Sequence, residues 1–120
     1  SIWEGTAMEM RLNAETVRKY GIRIREAVAT GGGANSKKWL QLKADIQNIP
    51  IRTLRSSEGG LCGCAMLQAV AMGTAENLKE SAKKFVQYAE RFVPDGAAHT
   101  AYENQYKKYK RLYRSVKRFY

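Results

Sequence analysis

Three consecutive glycines, Gly31-Gly32-Gly33, constrain this chain more than any other stretch of its 120 residues. Before them, Ile22-Arg23-Ile24-Arg25-Glu26-Ala27-Val28-Ala29-Thr30 alternates apolar and polar residues and then turns small and apolar; its second half reads as a strand. After them, from Ser36 to Ile46, the residues Trp39, Leu42 and Ile46 recur at helical spacing and share a face. A strand that ends in glycines just before a helix begins brings bare backbone N–H groups and a positive helix terminus to one place. Both favour phosphate or another anion. Without a Cβ, the backbone can also lie close to a flat base or a pyrophosphate. The competing reading is a plain flexible turn. The run is neither a dinucleotide fingerprint nor a Walker A loop, since Gly-x-Gly-x-x-Gly and Gly-Lys-Ser/Thr do not occur in it.

The surrounding pattern places the turn in an α/β frame. Residues 6 to 20 read as a helix through Ala7, Met8, Met10, Leu12, Val17 and Tyr20, with Gly21 well placed just past its end. Asn48 and Pro50 stop the helix that follows the glycines, and Ile51-Arg52-Thr53-Leu54 reads as a second short strand. Ser56-Ser57-Glu58 offers an N-cap hydroxyl and a first-turn acid to a helix running to about Met72. That helix is dense in small residues (Gly59, Gly60, Gly63, Ala65, Ala69, Ala71), which lets it press against a sheet or another helix, and Gly73 ends it. Ala75 to Phe85, or to Tyr88, reads as one more helix, Val93-Pro94-Asp95-Gly96 as a loop, and Ala98 to Arg118 as a long helix. Strands alternating with helices predict at least partly parallel pairing. Two strands do not make a full sheet. The remaining strands are therefore expected upstream, in a longer protein of which this chain, opening on Ser1 without a methionine, is a part.

Composition narrows the class. At 44% hydrophobic and 27% charged residues the chain reads as globular, with room for one modest core. No apolar run is long enough to span a bilayer, and the first residues lack the basic and apolar regions of a signal peptide. Cys62 and Cys64 are too near in sequence to bridge each other readily, which fits a reduced, cytoplasmic protein. With one histidine in the chain, they are also short of partners for a closed zinc site. Both are expected to pack as small apolar residues on a buried helix. Glu58 is explained by the helix dipole, and His99, with no nucleophile or carboxylate at a telling spacing, by a structural or solvated role.

The formal charge is +10, and it is concentrated. From residue 97 onward, seven basic residues (Lys107, Lys108, Lys110, Arg111, Arg114, Lys117, Arg118) oppose one acid, Glu103, a net +6 that leaves +4 for the rest. On the same helix Tyr102, Tyr106, Tyr109, Tyr113, Val116 and Tyr120 recur at intervals of four and three, a single stripe flanked by Leu112 and Phe119. One reading is a basic aromatic surface for nucleic acid. The preferred one is an amphipathic helix whose tyrosines lie on the body of the protein and whose basic back faces water. If exposed, the stripe would instead drive self-association, as in a homodimer.

In order and identity these segments resemble the C-terminal half of the FGGY family of carbohydrate kinases. Gly31-Gly32-Gly33-Ala34-x-Ser36-x-x-Trp39-x-Gln41-x-x-Ala44-Asp45 is similar to the family's adenosine motif, followed by Pro50-Ile51 at the next strand. Glu58 to Gly73 looks like its small-residue helix; Pro94, Tyr102, Tyr106, Tyr109 and Leu112-Tyr113 resemble the closing tail of its xylulokinase-like branch. The resemblance implies an actin-like, ribonuclease-H-like ATPase fold, α/β, helix-rich with few strands. It implies transfer of the γ-phosphoryl of ATP, with Mg2+, to a sugar hydroxyl in a cleft between two domains. It places Gly31, Gly32, Gly33, Ala34, Ser36 and Lys37 at the nucleotide. Lys37 stands where relatives often have an asparagine beside the adenine, and Cys62 and Cys64 replace leucine and alanine. Residues 1–120 would be the C-terminal portion of the nucleotide-binding domain, with ATP or ADP as ligand and neither nucleic acid nor membrane as partner. The catalytic aspartate and the sugar-binding residues would lie upstream, so no catalytic or metal-binding residue is expected here, and the chain alone is expected to be inactive. D-xylulose is the expected sugar, with gluconate, fuculose and glycerol as alternatives.

Overall fold

The computed structural model describes residues 1–56 and 58–119. Its first helix, α1 (Ile2–Lys19), starts four residues earlier than its apolar spacing predicts. The reason is a capping box: the Ser1 hydroxyl accepts from the Glu4 backbone while the Glu4 carboxylate pairs with the Ser1 amino group. Gly21, at φ 84, turns the chain out of the helix as expected. Strand β1 (Ala27–Ala29) runs into a short 3-10 turn at Gly32–Asn35 and then into helix α2 (Lys37–Gln47), which Asn48 closes in the left-handed region at φ 53. Strand β2 (Ile51–Leu54) returns beside β1 and parallel to it, Ala27 opposite Ile51 and Ala29 opposite Thr53.

Helix α2 is the centre of the structure, because it carries two apolar faces. Leu40 and Ala44 pack on the sheet against Ile51, Ala27, Ala29 and Phe92. Ile46, with Trp39 and Leu42 beside it, packs on Ala7 and Met8 of α1 and on Tyr106 of the last helix, α5 (Gly96–Val116). Leu40 and Ile46 are essentially fully buried, and each contributes about 1.5–3 kcal/mol by leaving water. The sequence pattern showed only the second face.

The sheet has a third strand that the sequence reading did not foresee: that reading ended a helix at Phe85 or Tyr88 and assigned no element to residues 89–92. Strand β3 (Tyr88–Phe92) pairs antiparallel with β2, Ile51 opposite Phe92 and Leu54 opposite Tyr88. It follows α4 (Leu78–Phe85) closely, so the helical pattern runs into it with only Val86, already in extended backbone, and Gln87 as a break. Arg52 and Arg91 sit opposite each other in this ladder. Their like charges are tolerated because each donates from Nε to the same Glu26 oxygen, at 2.9 Å.

The small-residue helix, α3 (Gly59–Ala71), corrects another expectation. It is not buried: Ala69 is its one buried residue among those described, and Leu61 and Leu67 are exposed. Cys62 is half-buried and Cys64 exposed, both free, so the two cysteines do not pack in a core within this chain. Helix α3 pairs with α4, where the buried Ser81 hydroxyl donates to the Met66 carbonyl at 3.1 Å. Glu58 caps α3 without a side-chain hydrogen bond, while the Ser56 hydroxyl accepts from the Glu58 backbone. Ser57 and Tyr120, the other offered cap and the last residue of the tyrosine stripe, lie outside the described residues. The radius of gyration, 17.5 Å, exceeds the roughly 14 Å of a self-contained domain of this length. No helix among the described residues is long and apolar enough to cross a membrane.

Candidate nucleotide-binding site

The glycine turn is built by two backbone decisions. Gly31 has φ 78 and ψ −174, a conformation essentially reserved for glycine. This swings the chain out of β1, and the Ala34 amide then donates to the Gly31 carbonyl at 2.9 Å to close the 3-10 turn. Ser36 returns to extended backbone and starts α2, its hydroxyl accepting from the Trp39 amide at 3.4 Å.

Within the turn the glycines face different ways. A Cβ on Gly33 would lie 3.6 Å from the Trp39 Nε1, so this glycine rests on the indole. Trp39 is held in turn by the edge of Trp3, with ring centroids 4.8 Å apart, and by the Lys43 ammonium 4.5 Å over its ring. A Cβ on Gly32 would meet nothing within 4 Å. Gly32 therefore presents bare backbone to open space with no packing demand of its own.

Beside the turn opens a cleft of about 300 Å³, lined by Ala34, Asn35, Lys37, Thr53, Arg55 and Glu90 among others. It lies where β2 ends and α2 begins, outside the carboxyl end of a parallel strand, the position at which open α/β sheets hold ligands. The start of α3 also comes close: a Cβ on Gly59 would sit 3.5 Å from the Thr30 side chain at the end of β1. The Lys37 ammonium pairs with Glu90 at 2.7 Å across the cleft wall.

Of the expected residues, Ala34 and Lys37 line the cleft, while Gly31, Gly32, Gly33 and Ser36 form the turn beside it. The Ser36 hydroxyl is engaged in capping α2. Sequence reasoning missed Asn35, Thr53, Arg55 and Glu90. Arg55 carried a signal, a cation at the end of the second strand; Glu90 belongs to the strand that was not foreseen.

The other candidates have structural roles. His99 lies with Nδ1 2.7 Å from the Asp45 carbonyl oxygen and Nε2 3.2 Å from the Glu103 carboxylate, tying α5 to the end of α2. Arg11 bonds Glu103 and also donates to the Ile46 carbonyl at 3.1 Å. Hydrogen bonding to Arg11 holds the Glu103 carboxyl below its ordinary value. Of the tyrosine stripe, Tyr106 is buried and Tyr102 and Tyr109 pack on the core beneath it, as a docking face should. Burial, with the hydrogen bond to Glu9 behind it, pushes the Tyr109 hydroxyl up to about 12. Tyr113 and Val116 are left exposed beyond the body.

The turn and cleft fit a nucleotide: exposed glycine backbone, a helix start and a cleft with two cations on its wall. For magnesium the described residues offer no equivalent. Among the described residues no three histidine, cysteine or acidic side chains come together as a metal site.

The fold is α/β, helix-rich with a small three-stranded sheet, of the actin-like ATPase kind. The model of the FGGY family of carbohydrate kinases, C-terminal domain, matches residues 1–72, and the chain belongs to that family. It is 33% identical over 117 residues to the xylulose kinase of Bacillus subtilis (strain 168), covering 98% of this chain and 23% of that protein. The crystal structure of a "xyloylose kinase" from Brucella ovis superposes with a TM-score of 0.81 at 27% identity, covering 100% of this chain and 25% of that one. A gluconate kinase from Lactobacillus acidophilus superposes with a TM-score of 0.72 at 26% identity over 81% of this chain and 20% of that one. The chain thus spans about a quarter of the length of the relatives it matches.

Proposed function

We propose that this chain is the C-terminal portion of the nucleotide-binding domain of a carbohydrate kinase that transfers the γ-phosphoryl of ATP to a sugar hydroxyl. The observation that carries the reading is Gly32: exposed backbone at the end of a parallel strand, unneeded for packing and left open beside a cleft. The turn's N–H groups and the positive start of α2 meet phosphate charge, and the cleft wall at Ala34 and Lys37 meets the nucleoside. ATP supplies the phosphoryl group when bound; the contribution of these residues is positioning and electrostatic stabilisation. The magnesium that accompanies ATP has no ligand assigned in this chain, and neither has the sugar.

The surfaces left uncovered support a larger whole. The outer edge of β1 has no strand beside it among the described residues, and α3 exposes Leu61 and Leu67. Both call for further polypeptide of the same enzyme, in keeping with relatives four times as long. D-xylulose is the sugar we assign, from the xylulose kinase relatives. The gluconate kinase likeness favours gluconate as the second reading. We place the enzyme in the cytoplasm, consistent with its two free cysteines.

The test is a calorimetric titration of ADP into the chain and into Gly32→Leu. Saturable binding that Gly32→Leu weakens without lowering thermal stability supports the reading. Equal binding by both proteins contradicts it.

A further inference from the structure

We propose that Arg55 is the side chain that joins the turn's N–H groups in engaging the nucleotide's phosphate charge, a role that rests on the nucleotide reading above. An anionic ligand needs a cation that is not already neutralised. Two basic side chains line the cleft, Lys37 and Arg55. Lys37 is neutralised by Glu90 at 2.7 Å, so drawing it to phosphate means breaking that ion pair.

Arg55 has no such commitment. It follows β2 directly, its backbone amide is fixed by the Gln87 carbonyl at 2.8 Å, and its side chain is exposed. Its hydrogen bond is to the neutral Gln87 side-chain oxygen, at 3.4 Å. Among the described residues no carboxylate pairs with it. The planar guanidinium suits phosphate, which it can hold through two parallel hydrogen bonds. The backbone anchor holds its base at the cleft while the head remains free to reach the ligand.

The experiment compares ADP with adenosine, each titrated into the wild-type chain, Arg55→Gln and Arg55→Lys, with circular dichroism to confirm the fold. Arg55→Gln should weaken ADP binding about ten-fold, the size of one charge-assisted hydrogen bond, and leave adenosine unchanged. Arg55→Lys, which keeps the charge but loses the two parallel hydrogen bonds, should bind ADP with an affinity between those of wild type and Arg55→Gln, and the gap between ADP and adenosine should narrow with added salt. If Arg55→Gln binds ADP as tightly as wild type, or loses ADP and adenosine equally, Arg55 does not hold phosphate while the nucleotide reading stands. If neither ligand binds the wild-type chain, the nucleotide reading itself falls.

Discussion

Gly33 rests on the indole of Trp39, near enough that a β-carbon there would lie 3.6 Å from Nε1. That is ordinary contact distance, so alanine fits and a larger side chain does not. Gly33→Ala should leave the thermal midpoint within a few degrees of wild type. Gly33→Leu should displace Trp39 from Trp3 and lower the midpoint clearly. Near-ultraviolet circular dichroism of the tryptophan pair reads the displacement; an unchanged spectrum in Gly33→Leu would show that the turn is not braced by Trp39.

Gly31 is required for a different reason. Its φ of 78 with ψ near 180 is closed to side chains, although the space around it is open. Gly31→Ala should cost about 1–3 kcal/mol in urea unfolding. Gly32→Ala, where no positive φ is needed, should cost much less, and equal losses at the two positions would contradict the turn geometry.

Ser36 was expected at the nucleotide and is found capping α2. Ser36→Ala should therefore destabilise the chain by about 0.5–2 kcal/mol. Ser36→Asp or Ser36→Asn, which can also cap, should restore stability. A Ser36→Ala variant of full stability would leave the hydroxyl available to the ligand instead.

The turn was legible because its signals are local. Glycine conformation, and Asn48 and Pro50 at the helix end, act within a few residues. What the sequence withheld depends on partners far along the chain. Strand β3 exists because Phe92 and Tyr88 find Ile51 and Leu54 across the ladder, and its alternation is too short to stand out after α4. Arg55 and Glu90 could not be placed at one cleft before β3 was known to lie beside β2. The tyrosine stripe was legible as a docking face, and Tyr102, Tyr106 and Tyr109 dock. Helix α3 was misread as buried because small residues announce close packing without saying what is packed against them.

The link between Arg11 and Glu103 predicts a pH dependence. The folded state lowers the Glu103 carboxyl below its ordinary value of 4.5, chiefly through the Arg11 hydrogen bond. Its contribution to stability is complete above that ordinary value and disappears as the pH falls through the lower, folded one. Glu103→Gln should be less stable than wild type at pH 7, and the difference should close in strong acid. Urea midpoints at a series of pH values measure this; a gap that stays constant down to pH 2 would contradict it.

The central claim is that the glycine turn holds a nucleotide, and amide chemical-shift mapping by NMR tests it most directly. On titration with ADP, the account predicts saturable shifts at Gly31, Gly32, Gly33, Ala34 and Lys37, extending to Thr53 and Arg55 along the cleft. Shifts confined to the basic face of α5, or none at millimolar ADP, would contradict it.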